Sequence, residues 1–195
     1  MRELELKDYY WPNSIEEAIS ILKENKDENI EVIAGGTEIN MKHINVDYLV
    51  DITELGLNYI KESDEFIKIG STSNIMEIEE SEIIQQKPFE TLHDAAYKWT
   101  ENVKHQSTIG GNICEAIPSS DMSAPLIALN SKANIVGSNG ERTVKVENIS
   151  KGFRQNILND DEILKEFLIP NEDFITKEED VLSYILFPDV AEDFL

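Results

Sequence analysis

The chain has a single cysteine, Cys114, so no intrachain disulfide can form, and its three histidines, His43, His93 and His105, are too scattered to offer zinc-ligand spacing. Basic residues are scarce: 17 Lys and Arg stand against 39 Asp and Glu, a formal net charge of -22. That sign repels phosphate backbones and anionic lipid, and no basic cluster offsets it, so neither nucleic acid nor a membrane is an expected partner. No apolar run approaches the roughly 18 residues of a membrane span. The opening MRELELKDYYWP lacks the basic-then-apolar pattern of a secretory signal, and a cytoplasmic location is expected. Glycine is sparse as well, at 9 in 195 residues, which makes two places where glycines pair informative.

What is present is a globular composition. A hydrophobic content of 41% suffices for one domain or for two small lobes that share an interface. In SIEEAISILKEN, Ser14 can cap a helix, Glu17 completes a capping box, and Ile15, Ala18, Ile19 and Leu22 recur at helical spacing. IEVIA then reads as a buried strand, EINMKHIN as weakly helical and YLVDI as a second strand, which makes a parallel strand-crossover-strand unit. FIKIGSTS alternates as a strand, and NIMEIEESEII starts with an asparagine cap. TLHDAAYKWTENV carries one apolar stripe, Leu92, Ala95, Ala96, Trp99 and Val103, and predicts a single helix with Trp99 in the core. Ser123 is positioned to cap a short helix with Pro125 in its first turn, and Asn139-Gly140 marks a hairpin turn between alternating strands. The second half is therefore α+β with antiparallel pairing.

The glycine pairs lie in VIAGGTEIN (32–40) and STIGGNIC (107–114). Consecutive glycines let backbone N–H groups line a small concavity that accepts anionic oxygen. Thr37 adds a hydroxyl to the first, and Ser107, Thr108 and Asn112 add polar groups to the second. Neither has the G-x-G-x-x-G or G-x-x-x-x-G-K-[ST] spacing, so the Rossmann and P-loop readings fail. Ordinary turn punctuation and an anion site both stand at this point. The net acidity does not decide between them. Charges about 20 Å away cost about 0.2 kcal/mol per pair in water before screening, whereas each local hydrogen bond to a charged group is worth about 1.5 to 3 kcal/mol.

In order along the chain, YYWPNSIEEAISIL, VIAGGTEIN, KIGSTSNI, STIGGNICEAIPSSDMSAPLIAL and ERTVKVENISKGFRQNILNDDEILKEFLIP resemble the FAD-binding subunit of molybdenum hydroxylases, the xanthine dehydrogenase and carbon monoxide dehydrogenase family. The likeness covers residues 4–170. It implies an α+β, two-lobed FAD-binding fold: a small α/β lobe with parallel strands over residues 1–55 and a larger lobe with an antiparallel sheet over 56–170. It implies that Ala34, Gly35, Gly36, Thr37, Glu38 and Ile39 wrap the FAD pyrophosphate and ribityl from one side, while Thr108, Gly110, Gly111, Asn112 and Ile113 close from the other. Asp121 matches an aspartate that bonds the flavin's polar chain, with Ser107 and Ser120 beside these positions. The implied partners are a molybdenum-cofactor subunit and an iron-sulfur subunit, with NAD or another acceptor taking electrons from the flavin. No side chain is expected to act as an acid or base.

Family members continue past FLIP into a further α/β domain, so the resemblance implies that this C-terminal domain is missing and that residues 171–195 form an atypical tail. EEDVLSYILFPDVAEDFL has a short likeness to biotin-dependent decarboxylases and carboxylases beside its plain reading as a closing amphipathic helix. The alternative function is thus a truncated, non-catalytic module of the same fold that docks on partner subunits. Among other residues, Cys114 reads as an apolar filler, His105 as a solvated loop residue and the Glu-rich run 77–82 as a solvated face. Tyr9, Tyr10 and Trp11 read as packing for the first strand, and Arg154 as a partner of the acidic surface without a catalytic role.

Overall fold

A computed structural model describes residues 6–38 and 46–171. Ile39, the expected helix EINMKHIN after Glu38 and before Val46, and the tail from residue 172 onward lie outside the described residues.

The first half builds a parallel sheet in the order β1 (Asp8–Tyr10), β3 (Tyr48–Asp51), β2 (Ile30–Ile33). Helix α1 (Ile15–Glu24) makes the crossover from β1 to β2 and buries Ala18, Ile19 and Leu22, three of the four expected apolar positions. Its cap differs in one detail. Ser14 Oγ accepts from the Glu17 N–H at 3.1 Å, but the Glu17 carboxylate takes the N–H of Asn13 at 2.7 Å rather than that of Ser14, so the reciprocal half of the box slips by one residue. Strand β2 is not buried as expected: Glu31 is exposed and Ile30, Val32 and Ile33 are half-buried, because β2 is an edge strand.

The second half builds an antiparallel sheet from β4 (Ile60–Glu62), β5 (Phe66–Gly70), β6 (Lys132–Gly137), β7 (Gly140–Lys145) and β10 (Glu162–Pro170), after the small ribbon β8 (Ser150–Gly152) with β9 (Gln155–Asn156). The strand order is β4-β5-β10-β6-β7, so the last strand in the chain occupies the middle. Ile67, Ile69, Ile135, Phe167 and Ile169 form its core with residues of α2 (Ile75–Glu80), α3 (Glu90–Tyr97), α5 (Ile109–Cys114) and α6 (Ser123–Ala128). A bulge between Leu164 and Glu166 shifts the register of β10 against β6. By ordinary alternation Ile163 joins Ala18, Leu22 and Val50 in the core of the first sheet while Leu164 faces the second, and the bulge keeps Leu164 on the same face as Phe167 and Ile169.

Four expectations are corrected here. The stripe from Leu92 to Val103 is broken: α3 stops at Tyr97, Thr100 is extended, and α4 (Glu101–Lys104) starts afresh. After the break Trp99 is half-buried, packed against the core of the second sheet, and with Val103 it lines a cleft. In α6, Ser123 is the first helical residue rather than the cap, which is Met122, whose N–H donates to Asn112 Oδ1 at 3.2 Å. In the β6–β7 hairpin Gly137 pairs with Gly140, so Ser138 and Asn139 form the turn and only Gly140 takes a positive φ, +105°. The Glu-rich run is also more than a solvated face, since Glu77 closes a full capping box on Asn74 and Glu79 pairs with the buried ammonium of Lys104.

One ion pair ties the hairpin to β10. Arg142 donates from Nε and Nη2 to the two carboxylate oxygens of Glu162, each at 2.7 Å. This fork holds the Glu162 carboxyl below its ordinary range, against the opposing effect of burial. A carboxylate depressed in the folded state stabilises the fold above its unfolded pKa, about 4.3, and loses that contribution as pH falls through the folded value. The expected result is that Arg142→Met lowers stability at neutral pH by about 1 to 2 kcal/mol, a figure discounted because Arg142 is 36% exposed. Urea titrations across the acid range should show that difference shrinking below about pH 4, where the parent loses the same contribution.

Candidate functional site

The first glycine segment leaves the end of β2, where Gly36 takes φ +69°, a left-handed value that favours glycine. Gly35 is required for a different reason. A Cβ there would lie 1.7 Å from the Gln106 carbonyl oxygen and 3.2 Å from Ser107 Cα, so its absence lets the turn lie directly on the second glycine segment. Ser107 Oγ donates to Thr37 Oγ1 at 3.1 Å and closes the junction.

The second segment is itself anchored to the stretch that joins β5 to α2. Ile75 N donates to Ser107 O at 3.0 Å, Ile109 N to Ser73 O at 3.0 Å and Gly110 N to Ser71 O at 2.9 Å. A Cβ on Gly110 would come within 2.6 Å of Ser71 O, so this glycine too serves protein packing. The loop expected at TIGGN is instead the helix α5, with Thr108 as N-cap accepting from the Gly111 N–H at 3.1 Å. Gly111 is exposed, with only the Thr108 hydroxyl near its open side.

Between the two segments lies a cleft of about 480 Å³, within the range of about 300 to 1,000 Å³ typical of small-molecule sites. Ala34, Gly35, Gly36, Thr37 and Glu38 line it, as do Ser107, Thr108, Gly110, Gly111 and Asn112. Ile113 does not: it is buried in the core of the second sheet. Ser120 is buried below α5, where its hydroxyl donates to Asn112 O at 2.8 Å, and Asp121 is exposed outside the lining. His105 is exposed and also outside the lining.

Sequence reasoning missed other residues of the cleft. Trp99, expected in the core, is half-buried and lines the cleft, and its indole N–H is buried with no partner among the described residues. An orphaned donor of this kind costs about 1 to 3 kcal/mol until an acceptor meets it. Arg154 also lines the cleft and pairs with both Glu115 and Glu38, the second at 3.7 Å. The only sequence signal for it was its sign, in a chain where cations are few.

The N–H groups of Gly35, Gly36 and Thr37 donate to no acceptor among the described residues. Apolar lining from Leu22, Ile30, Trp99, Val103 and Leu164 surrounds this polar junction. Such a cleft fits an elongated ligand with an anionic middle and flat, apolar ends, which is the chemistry of a dinucleotide. Burial, with the Glu115 carboxylate adding, pushes the Cys114 thiol up to about 12, so it stays protonated and behaves as the expected filler. No group of three His, Cys, Asp or Glu side chains able to hold a metal occurs among the described residues.

Residues 3–172 match a family model described as the FAD binding domain in molybdopterin dehydrogenase. The glyceraldehyde dehydrogenase medium chain of Sulfolobus acidocaldarius is 30% identical over 167 residues, covering 83% of this chain and 59% of the relative. The carbon monoxide dehydrogenase medium chain of Hydrogenophaga pseudoflava is 27% identical over 169 residues, covering 84% of this chain and 58% of the relative. Among solved structures, carbon monoxide dehydrogenase from Hydrogenophaga pseudoflava superposes with a TM-score of 0.83 at 25% identity, over 89% of this chain and 62% of the other. Quinoline 2-oxidoreductase from Pseudomonas putida 86 shares the fold with a TM-score of 0.81 at 22% identity, over 88% of this chain and 61% of the other. The chain thus spans about three fifths of the length of the curated relatives it matches.

Proposed function

Because this chain belongs to the family of FAD-binding domains of molybdopterin dehydrogenases, we propose that it holds FAD in the cleft and relays electrons from an iron-sulfur subunit through the flavin to NAD or another acceptor. It does so as the flavoprotein component of an oxidoreductase whose molybdenum-cofactor subunit oxidises the substrate. The observation that carries the reading is the junction itself: two glycine segments about seventy residues apart meet at the Gly35–Gln106 contact and the Ser107–Thr37 hydrogen bond, with N–H groups beside them that meet no acceptor among the described residues.

Bound FAD supplies the electron-transfer chemistry that the side chains of the cleft lack. The chain's own part is to bind and orient. The N–H groups of Gly35, Gly36 and Thr37 donate to diphosphate oxygens, and the hydroxyls of Thr37 and Ser107 extend that contact. Each such hydrogen bond to a charged group contributes about 1.5 to 3 kcal/mol. Thr108, Gly111 and Asn112 close the opposite side. Trp99 offers its indole N–H to an acceptor on the ligand. Residues 1–55 act as the small lobe and 56–170 as the larger one, with the ligand between them.

The test is the visible spectrum of the purified chain, followed by titration with FAD. Flavin bands should appear as isolated or on adding FAD, and FAD at about 100 times its Kd should raise stability by about 2.7 kcal/mol. If neither bands nor stabilisation appear, the reading is wrong. If ADP stabilises as strongly as FAD and no flavin spectrum develops, the cleft serves nucleotides without redox chemistry. Reduction of a dye by NADH through the loaded chain would identify NAD as the acceptor and exclude the non-catalytic docking module.

A further inference from the structure

Given that FAD occupies the cleft, we propose that Arg154 is a positioning residue for it, acting through Glu38 and Glu115 as both latch and counter-charge. Arg154 sits in the turn between β8 and β9, with φ +57° and its N–H donating to Ala116 O at 2.9 Å. Its guanidinium bonds Glu115 at the end of α5 through Nη1 and approaches Glu38 of the first turn at 3.7 Å through Nη2, while Phe153 packs beside it at 5.6 Å. One cation thus spans the two segments that flank the cleft. All three side chains line that cleft.

Two carboxylates beside a diphosphate site are a repulsion within the Debye length of about 10 Å, unlike the distant surface charges. Arg154 neutralises that pair locally. The planar fork of arginine can engage two carboxylates at once, which a lysine ammonium does less well. Through the same contacts it holds the 34–38 turn against α5, so the N–H groups of Gly36 and Thr37 stay aimed at one place. The role differs from direct phosphate binding, because here the guanidinium faces carboxylates.

The experiment compares the purified parent chain with Arg154→Met, Arg154→Lys and the triple variant Arg154→Met, Glu38→Gln, Glu115→Gln. FAD affinity should fall about 10- to 100-fold in Arg154→Met, as expected for unmasked like charges. It should fall less in Arg154→Lys and return most of the way in the triple variant. In Arg154→Met, raising salt should tighten FAD binding by screening the exposed carboxylates, a dependence absent from the parent. In the ligand-free protein, the backbone order parameters of residues 34–38 should fall in Arg154→Met with those of α1 unchanged. The proposal is overturned if Arg154→Met binds FAD like the parent, or if the triple variant is no better than Arg154→Met, which would make Arg154 a direct ligand contact. Unchanged order parameters in the turn overturn it independently of FAD. A parent chain that binds no FAD would instead sink the functional reading, and the order parameters would still judge the latch.

Discussion

Gly35→Ala is expected to lose FAD affinity by about 100-fold or more, since a displacement near 1 Å at a positioned site has effects of that order. The added Cβ would meet the Gln106 carbonyl oxygen at 1.7 Å and its carbon at 2.7 Å. Both are backbone atoms, so no rotamer change relieves the clash, and the two glycine segments must move apart. Overpacking of this sort destabilises by about 1 to 3 kcal/mol, and the apo protein should show it in urea. Gly36→Ala is the useful comparison. Its Cβ would meet only the Ile33 side chain, at 3.3 Å, and its difficulty is the positive φ of +69°, so its effect on affinity should be the smaller of the two. Isothermal titration of both variants decides the matter: equal affinity in Gly35→Ala and the parent would show that the segments need not touch for the ligand to bind.

Phe167→Ala should be the most damaging single truncation, at about 3 to 5 kcal/mol. Phe167 is fully buried in β10, opposite Ile69 on one neighbouring strand and Ala133 on the other. Its loss leaves a void in the one strand that holds both halves of the second sheet. The expected signature is a lower urea midpoint at an unchanged m-value, with excess FAD restoring part of the loss by mass action. A destabilisation below about 1 kcal/mol would mean that the core collapses around the void, contrary to close packing about Phe167.

Much of this architecture was legible because local signals and tertiary demands agreed. Ser14, with the apolar positions Ala18, Ile19 and Leu22, specified α1, and the apolar runs IEVIA and YLVDI specified a parallel pair. β10 was illegible. Its segment EILKEFLIP carries charge at Glu162, Lys165 and Glu166, which argues against a central strand until their partners are known. Glu166 is buried because Tyr59 donates to it at 2.8 Å and Asn134 at 3.3 Å, contacts 107 and 32 residues away that no local pattern encodes. Burial, with the same donation adding to it, holds the Tyr59 phenol well above its ordinary range, so it stays a neutral donor.

The site was legible in a similar, partial way. Paired glycines pointed to close backbone approach, and the approach exists, but Gly35 and Gly110 spend it on neighbouring protein backbone rather than on open cleft. The helical state of TIGGN ran against the low helix propensity of glycine and was imposed by the bonds to Ser71 and Ser73. The resemblance carried Ile113 and Asp121 into the site by position in a motif, whereas the side chain of the first faces the core and the second is exposed outside the cleft. Arg154 escaped because its meaning depends on Glu115, 39 residues earlier in the chain, and on Glu38, earlier still.

The bulge in β10 has a mechanical corollary. By keeping Leu164 with Phe167 on the face of the antiparallel sheet while Ile163 packs against α1 and the parallel one, it ties the two jaws of the cleft to a single rod. On the proposed reading, FAD therefore meets a gap whose spacing one strand has already set.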